Sequence, residues 1–272
     1  MKCVNDIKCV YLTVLTNEKY VAGVKALRKA LEKVKSKYKL VVLVPEEKRE
    51  ELVKTLNEKH VLNKNCLICT QPQLEIDSVS SDSFQTNHYW DNKFFKLRAT
   101  NCEQFSKIIL LDSDMLILKN IDHLFDCPHM SAVSHRAVVK EWRKLNSGLM
   151  VICPDIKLHS ELIKRIIPTI KKRNKEGLRC GDQDVFQEAF PNWENDQNLI
   201  LPEKYNAFVN QVDELRKILK YKYKDFHVIH FIGEEKPFNC GWKRNVRILL
   251  SKLKNKKFLE SYLYLKYIFY CI

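Results

Sequence analysis

Asp112 and Asp114 stand on either side of Ser113, between apolar runs at 108–111 and 115–118. The first run is short and uniformly apolar, the pattern of a strand buried on both faces, so the pair falls at a strand's carboxyl end. An ionised carboxylate taken out of water costs several kcal/mol unless another charge compensates it. A strand that ends on two of them therefore implies a cation or a rim open to solvent. Carboxyl ends of strands are also where open α/β sheets bind ligands. These residue types offer oxygen ligands for a divalent ion that bridges a substrate's phosphates. The competing reading is an Asp pair that only caps a turn.

Further candidates lie at other element boundaries. Lys96, in KFFKLRAT, falls near the top of an expected helix, either as a phosphate partner or as a surface lysine. His230 ends an alternating strand at 227–232 and reads as a nitrogen ligand or a satisfied core histidine. Gly233 and Lys236 follow as a turn with a cation beside it, fit to close over phosphate. Asn146, Ser147 and Gly148 precede the apolar run 149–152, where a missing side chain would let a sugar approach the backbone. Asp182, Gln183 and Asp184 open a helix within 177–190, where acidic residues also serve as ordinary caps. Cys66 and Cys69 form one CxxC, but without a second pair or a histidine at finger spacing it is weak evidence for zinc.

The elements that must position these groups follow an α/β pattern. An apolar, β-branched run at 7–16 predicts a strand, and Tyr20, Val24, Leu27 and Leu31 recur at helical spacing after it. The run 40–44 predicts a second strand and 46–59 a second helix, and two such units in succession predict a parallel sheet. The strand, polar turn and helix at the start can meet a nucleotide with backbone N–H groups, although no GxGxxG is present. Residues 61–86 read as a loop over one edge, 90–105 as a helix, and 158–172 as a basic amphipathic helix.

The chain has 272 residues, of which 45% are hydrophobic and 29% charged, as expected of one large α/β domain. Its net charge of +14 favours polyanionic partners, yet the basic residues are spread along the chain, and no nucleic-acid motif with ordered aromatics is visible. Nucleic acid is therefore not the expected partner. Lys2, Asn5, Asp6 and Lys8 interrupt the start, so no secretory signal is expected. Ten cysteines without regular spacing then suit a reducing, cytoplasmic compartment.

Taken in order, LTVLTNEKY, the lysine of KLRAT, LLDSDMLILKNIDHLFD, LNSGLMV, GDQD, LPEKYN and HFIGEEKPF resemble glycosyltransferase family 8, and its glycogenin-like members in particular. The resemblance covers roughly Val10 to Trp242. It implies a GT-A-type nucleotide-diphospho-sugar transferase fold with a mixed, mostly parallel central sheet flanked by helices. It implies transfer of a hexose, glucose or galactose, from a UDP-sugar with retention and with Mn²⁺ as cofactor. Asp112, Asp114 and His230 are then the implied metal ligands. Val14, Thr16, Asn17 and Tyr20 would line the uridine and ribose pocket with Ser113, while Lys96, Lys236 and Gly233 would hold the phosphates. Asn146, Ser147 and Gly148 would face the sugar, and Asp182 and Gln183 would lie beside the anomeric carbon in catalytic positions.

Two departures bear on the acceptor. Arg179 stands where glycogenin-like members carry an acidic residue, and Asp213 is the position nearest their self-glucosylated tyrosine. An external hydroxyl acceptor is therefore expected, whether saccharide, inositol, lipid or protein. A self-glucosylating primer, a UDP-sugar hydrolase and a non-catalytic basic binding protein are the alternatives, and a homodimer is compatible with the sequence. Residues 1–242 are read as the transferase domain and 243–272 as a helical tail. In that tail Arg244, Arg247, Lys252 and Lys254 alternate with apolar residues ahead of an aromatic-rich segment. Such a composition suits either a helix packed on the domain or peripheral contact with an anionic membrane.

Overall fold

The computed structural model describes residues 8–74, 76, 93–233 and 236–272. The apolar runs form the central strands. β1 (Cys9–Val14), β2 (Leu40–Pro45) and β4 (Lys107–Leu111) pair in parallel, with β1 in the middle. Beyond β4 comes β7 (Asn146–Ile152), antiparallel to it, then the two-residue strands β6 (Ala132–Val133) and β8 (Ile200–Leu201). Residues 61–86, expected as a loop, instead contribute β3 (Cys66–Gln71), parallel to β2, at the far edge. The order is thus β3-β2-β1-β4-β7-β6-β8, a mixed and mostly parallel sheet.

Because successive side chains on a strand point to opposite faces, the sheet divides the core in two. Tyr11, Val42, Ile109 and Val151 pack on one side, and Val10, Leu12, Val41, Ile108 and Met150 pack on the other. α1 (Val21–Lys33) covers the first side with buried Val24, Leu27 and Leu31, as the helical spacing predicts. α2 (Arg49–Glu58) adds Leu52 and Leu56. α3 (Ile156–Lys175), begun by Asp155 accepting from the Leu158 N–H at 2.8 Å, covers the second side with Leu162, Ile166 and Ile170. The helix expected at 90–105 is a 3₁₀ segment, Phe95–Asn101, and residues 90–92 lie outside the described residues. Its tighter winding buries Phe95, Lys96, Leu97, Ala99 and Thr100.

A second, three-stranded sheet sits beside the first. β5 (Met115–Ile117) pairs antiparallel with β10 (Val228–His230), and β10 pairs parallel with β9 (Ala207–Phe208). β4 and β5 are separated only by residues 112–114, so the chain crosses from one sheet to the other within that turn. α4 (Asp182–Ala189) follows α3, and α5 (Val212–Leu219) follows β9. Two final helices, α6 (Trp242–Lys254) and α7 (Phe258–Cys271), close the chain, with α7 packed against α1 and α6.

Candidate active site

The crossing between the sheets creates the site. The Asp112 N–H donates to the Gly148 carbonyl at 2.9 Å, and the Phe231 N–H donates to the Asp114 carbonyl at 2.9 Å. One aspartate is thereby tied to the first sheet and the other to the second. Antiparallel pairing puts His230 opposite Met115, the residue after Asp114. His230 Nε2 consequently lies 3.1 Å from Asp114 Oδ1 and 3.6 Å from Asp112 Oδ2. One ligand atom from each of the three residues falls within 4.8 Å of the others. Oxygen and imidazole nitrogen donors on one point fit a divalent ion.

Two glycines permit this closeness. A Cβ on Gly148 would lie 2.7 Å from His230 Cε1, and one on Gly23 of α1 would lie 2.5 Å from the Ser113 carbonyl oxygen. Any side chain at Gly148 would push the imidazole away from the carboxylates. Any at Gly23 would lift the turn off α1.

Two buried lysines answer the carboxylates. Lys96 Nζ is 2.6 Å from Asp112 Oδ1 and 3.4 Å from Asp182 Oδ2, and Lys236 Nζ pairs with Asp114 while also donating to the Phe231 carbonyl at 2.6 Å. Burial would raise the Asp114 carboxyl, but His230 and Lys236 outweigh it and hold it far below the ordinary range. Desolvation, opposed by Lys96 and reinforced by Asp114, leaves the Asp112 carboxyl above its usual value. Burial would lower the Lys96 ammonium, yet Asp112 and Asp182 keep it firmly charged.

A cleft of about 380 Å³ opens over this cluster, lined among others by Val14, Thr16, Tyr20, Ser113 and Gly233. Gly233 takes φ 102°, a left-handed value that suits glycine. Tyr20 lies against Phe238 with ring centroids 5.9 Å apart. Asn17 does not line the cleft; its side-chain oxygen accepts the Lys19 N–H at 3.1 Å and caps the short turn before α1.

The other expected residues meet along β7 and the start of α4. Ser147 Oγ donates to Asp182 Oδ2 at 2.8 Å, and Gln183 Oε1 accepts from Asn146 Nδ2 at 3.0 Å and from the Ser147 N–H at 3.2 Å. Only Asp184 behaves as a cap, accepting the Gly181 N–H at 2.8 Å. Lys96 Nζ, 3.5 Å from Ser147 Oγ, joins this group to the aspartates. Asn146, Ser147 and Gly148 belong to the strand itself, although the sequence places them only ahead of its apolar run.

Three residues of the site carry no sequence signal that singles them out. Asn206 Oδ1 accepts from His230 Nδ1 at 3.0 Å while its Nδ2 donates to Asn146 Oδ1 at 2.7 Å. The Tyr267 hydroxyl of α7 donates to the Ser113 carbonyl at 3.2 Å, fixing the middle of the turn from behind. His135, fully buried at φ 54°, stacks on Phe208 at 3.7 Å, and neither ring nitrogen has a hydrogen-bond partner among the described residues. Burial, with His230 nearby, lowers its pKa to about 3, so the ring is neutral.

Similarity to known proteins extends over most of the chain. The model of Glycosyl transferase family 8 matches residues 11–244. Galactinol synthase 2 of Solanum lycopersicum is 27% identical over 89% of this chain and 78% of its own length. An Arabidopsis thaliana protein carrying the name UDP-glucuronate:xylan alpha-glucuronosyltransferase 3 is 28% identical over 88% of this chain, which spans only 37% of that protein. Among solved structures, the galactosyltransferase LgtC with donor and acceptor sugar analogues aligns over 84% of this chain and 88% of its own, at a TM-score of 0.55 and 14% identity. That likeness concerns the fold, which is of the GT-A type.

Proposed function

The chain belongs to glycosyltransferase family 8, and from that premise we propose that it moves a hexose, glucose or galactose, from a UDP-sugar to an external hydroxyl acceptor with retention. The observation that carries this reading is the meeting of Asp112, Asp114 and His230 with Lys96 and Lys236 beside one cleft. Those three ligands would hold Mn²⁺, which when bound supplies positive charge to the leaving diphosphate.

The protein's own groups account for the rest. Leaving UDP gathers negative charge on its β-phosphate, and preorganised cations stabilise charge where it develops. Lys96 and Lys236 are already held in place by carboxylates, so an arriving pyrophosphate gives each ammonium a further acceptor with little rearrangement. The backbone N–H of Gly233 adds a donor. Thr16, Tyr20 and Val14 would take the uridine and ribose, with Ser113 near the ribose. Asn146, Ser147 and Gly148 would face the sugar. Asp182 and Gln183 stand next to them, each already engaged by β7, and would orient the sugar and acceptor at the anomeric carbon.

The test is UDP release from UDP-glucose and from UDP-galactose with and without Mn²⁺. Release that depends on Mn²⁺, and that falls about 100-fold or more in both Asp114→Asn and His230→Ala, is the expected result. Release untouched by either substitution would overturn the donor-site assignment. Failure of UDP to bind in the presence of Mn²⁺ would do the same.

A further inference from the structure

The two final helices each carry a stripe of exposed apolar side chains. On α6, Asn245 anchors the inner face: its Nδ2 donates to the Pro237 carbonyl at 2.9 Å and its Oδ1 accepts from the Tyr264 hydroxyl at 2.7 Å. On the outer face stand Trp242, Val246, Leu250 and Leu253, exposed to 72%, 43%, 60% and 45%. Their spacing places them on one stripe of the helix. α7 repeats the arrangement. Leu263, Tyr264 and Tyr267 face inward and are buried, while Phe258, Tyr262, Leu265 and Phe269 are 43–68% exposed along a second stripe. α7 is thus apolar on both its buried and its exposed face, the pattern of a helix that is normally covered all round.

Basic residues border the α6 stripe and the start of α7. Lys243, Arg247, Lys254, Lys256 and Lys257 are exposed, and a cleft of about 430 Å³ beside α6 is lined by Arg244, Arg247, Lys252 and Lys257. Glu260, which is buried, pairs with Lys252 and Lys257. The balance of the surface stays positive.

We propose that the outer faces of α6 and α7 form a docking surface for an anionic lipid bilayer, on which the helices lie without crossing it. Among the described residues no helix is long and apolar enough to cross a membrane. Exposed Trp, Phe, Tyr and Leu on one side with flanking Lys and Arg is the composition of a helix resting at the boundary between headgroups and acyl chains. Charge decides between a bilayer and a second copy of the chain. Pairing two copies through these faces would bring together two molecules of net charge +14 with their basic borders adjacent, whereas anionic headgroups complement that border. The surface is separate from the donor site, because the exposed stripe of α7 lies opposite the buried face whose Tyr267 holds Ser113.

The experiment is flotation of the full chain with phosphatidylcholine vesicles, with and without phosphatidylserine, at low and high salt. Three results are expected: flotation with the anionic vesicles only, its decline with salt, and loss of about tenfold in partitioning for Leu250→Ser/Phe269→Ser. Both substituted side chains are exposed, so UDP binding and thermal stability should be unchanged in that variant, which separates this surface from the donor site. Equal flotation on neutral vesicles, flotation unaffected by the double substitution, or no flotation at all would overturn the proposal. Sedimentation equilibrium showing a dimer that the double substitution dissociates would overturn it in favour of a second copy.

Discussion

At the scale of single residues, the site rests on side-chain amides that hold its ligand candidates in place. Asn206 accepts from His230 Nδ1, so that nitrogen carries a proton and Nε2 is the ring atom turned toward the carboxylates. Asn206 in turn donates to Asn146, whose Nδ2 donates to Gln183. A buried chain of side-chain amides thus runs from the imidazole to the start of α4. Partners of this kind fix a ligand's tautomer and orientation, and removing one typically weakens metal binding about 10- to 100-fold. Asn206→Ala is expected to weaken Mn²⁺ binding by that factor in a calorimetric titration while the melting temperature stays close to wild type. Unchanged affinity would mean that packing against Gly148 and Phe208 alone orients His230. Asn206 lies within LPEKYN but nothing in the sequence singles it out, because it sits just before β9 and its partner is 24 residues away on β10.

At the scale of elements, Asp122 ties β1 to the loop that leads into β2. Its carboxylate accepts from the Tyr11 hydroxyl of β1 at 2.7 Å, the Ser36 hydroxyl at 2.8 Å, the Lys37 N–H at 2.9 Å and Asn120 Nδ2 at 3.1 Å. Burial would raise this carboxyl, but the Lys37 N–H and the Tyr11, Ser36 and Asn120 side chains outweigh it and depress the pKa. A carboxyl depressed on folding contributes stability that is present above its unfolded pKa, near 4, and is lost as pH falls through the folded value. Because Asp122 is partly exposed and its charge is screened by solvent, Asp122→Asn should cost on the order of 1 kcal/mol at pH 7 in urea unfolding. The gap from wild type should narrow as the pH is taken below about 4. A gap constant with pH would show that the geometry and not the charge matters.

The elements also show what the sequence makes legible. Runs that are apolar on both faces, such as Leu40–Pro45 and Lys107–Leu111, are evident, since their length and β-branching fit a buried strand. β3 is not evident, because an edge strand reading CLICTQ mixes polar and half-buried positions and lies among turn-forming residues. The segment around Lys96 has apolar residues at helical spacing but winds as a 3₁₀ segment, a distinction that spacing over two turns does not make. The three metal-ligand candidates were legible from residue types and family resemblance. Their convergence depends on β4 and β5 belonging to different sheets, which no local pattern encodes.

At the scale of the whole molecule, α7 joins the end of the chain to its centre. Tyr267 is fully buried, stacks on Phe231 at 4.1 Å with an interplanar angle of 12°, and donates its hydroxyl to the Ser113 carbonyl. Phe231 is the residue after His230, and Phe238, 6.1 Å from the same ring, lies against Tyr20 at the cleft. One side chain near the end of the sequence therefore supports the Asp turn, the strand bearing the histidine and a wall of the cleft together. Two substitutions separate packing from hydrogen bonding. Tyr267→Phe keeps the stack and removes only the donor, so it should cost about 1 kcal/mol in stability and weaken UDP binding modestly. Tyr267→Ala also opens a cavity, which for a large aromatic costs about 3–5 kcal/mol, and it should lower the melting temperature sharply and abolish Mn²⁺-dependent UDP binding. If calorimetry found UDP affinity intact in Tyr267→Ala at a temperature where that protein is folded, α7 would be a cover for α1 that leaves the donor site indifferent to it. Loss of affinity in the folded protein would instead make the last helix a working part of the site.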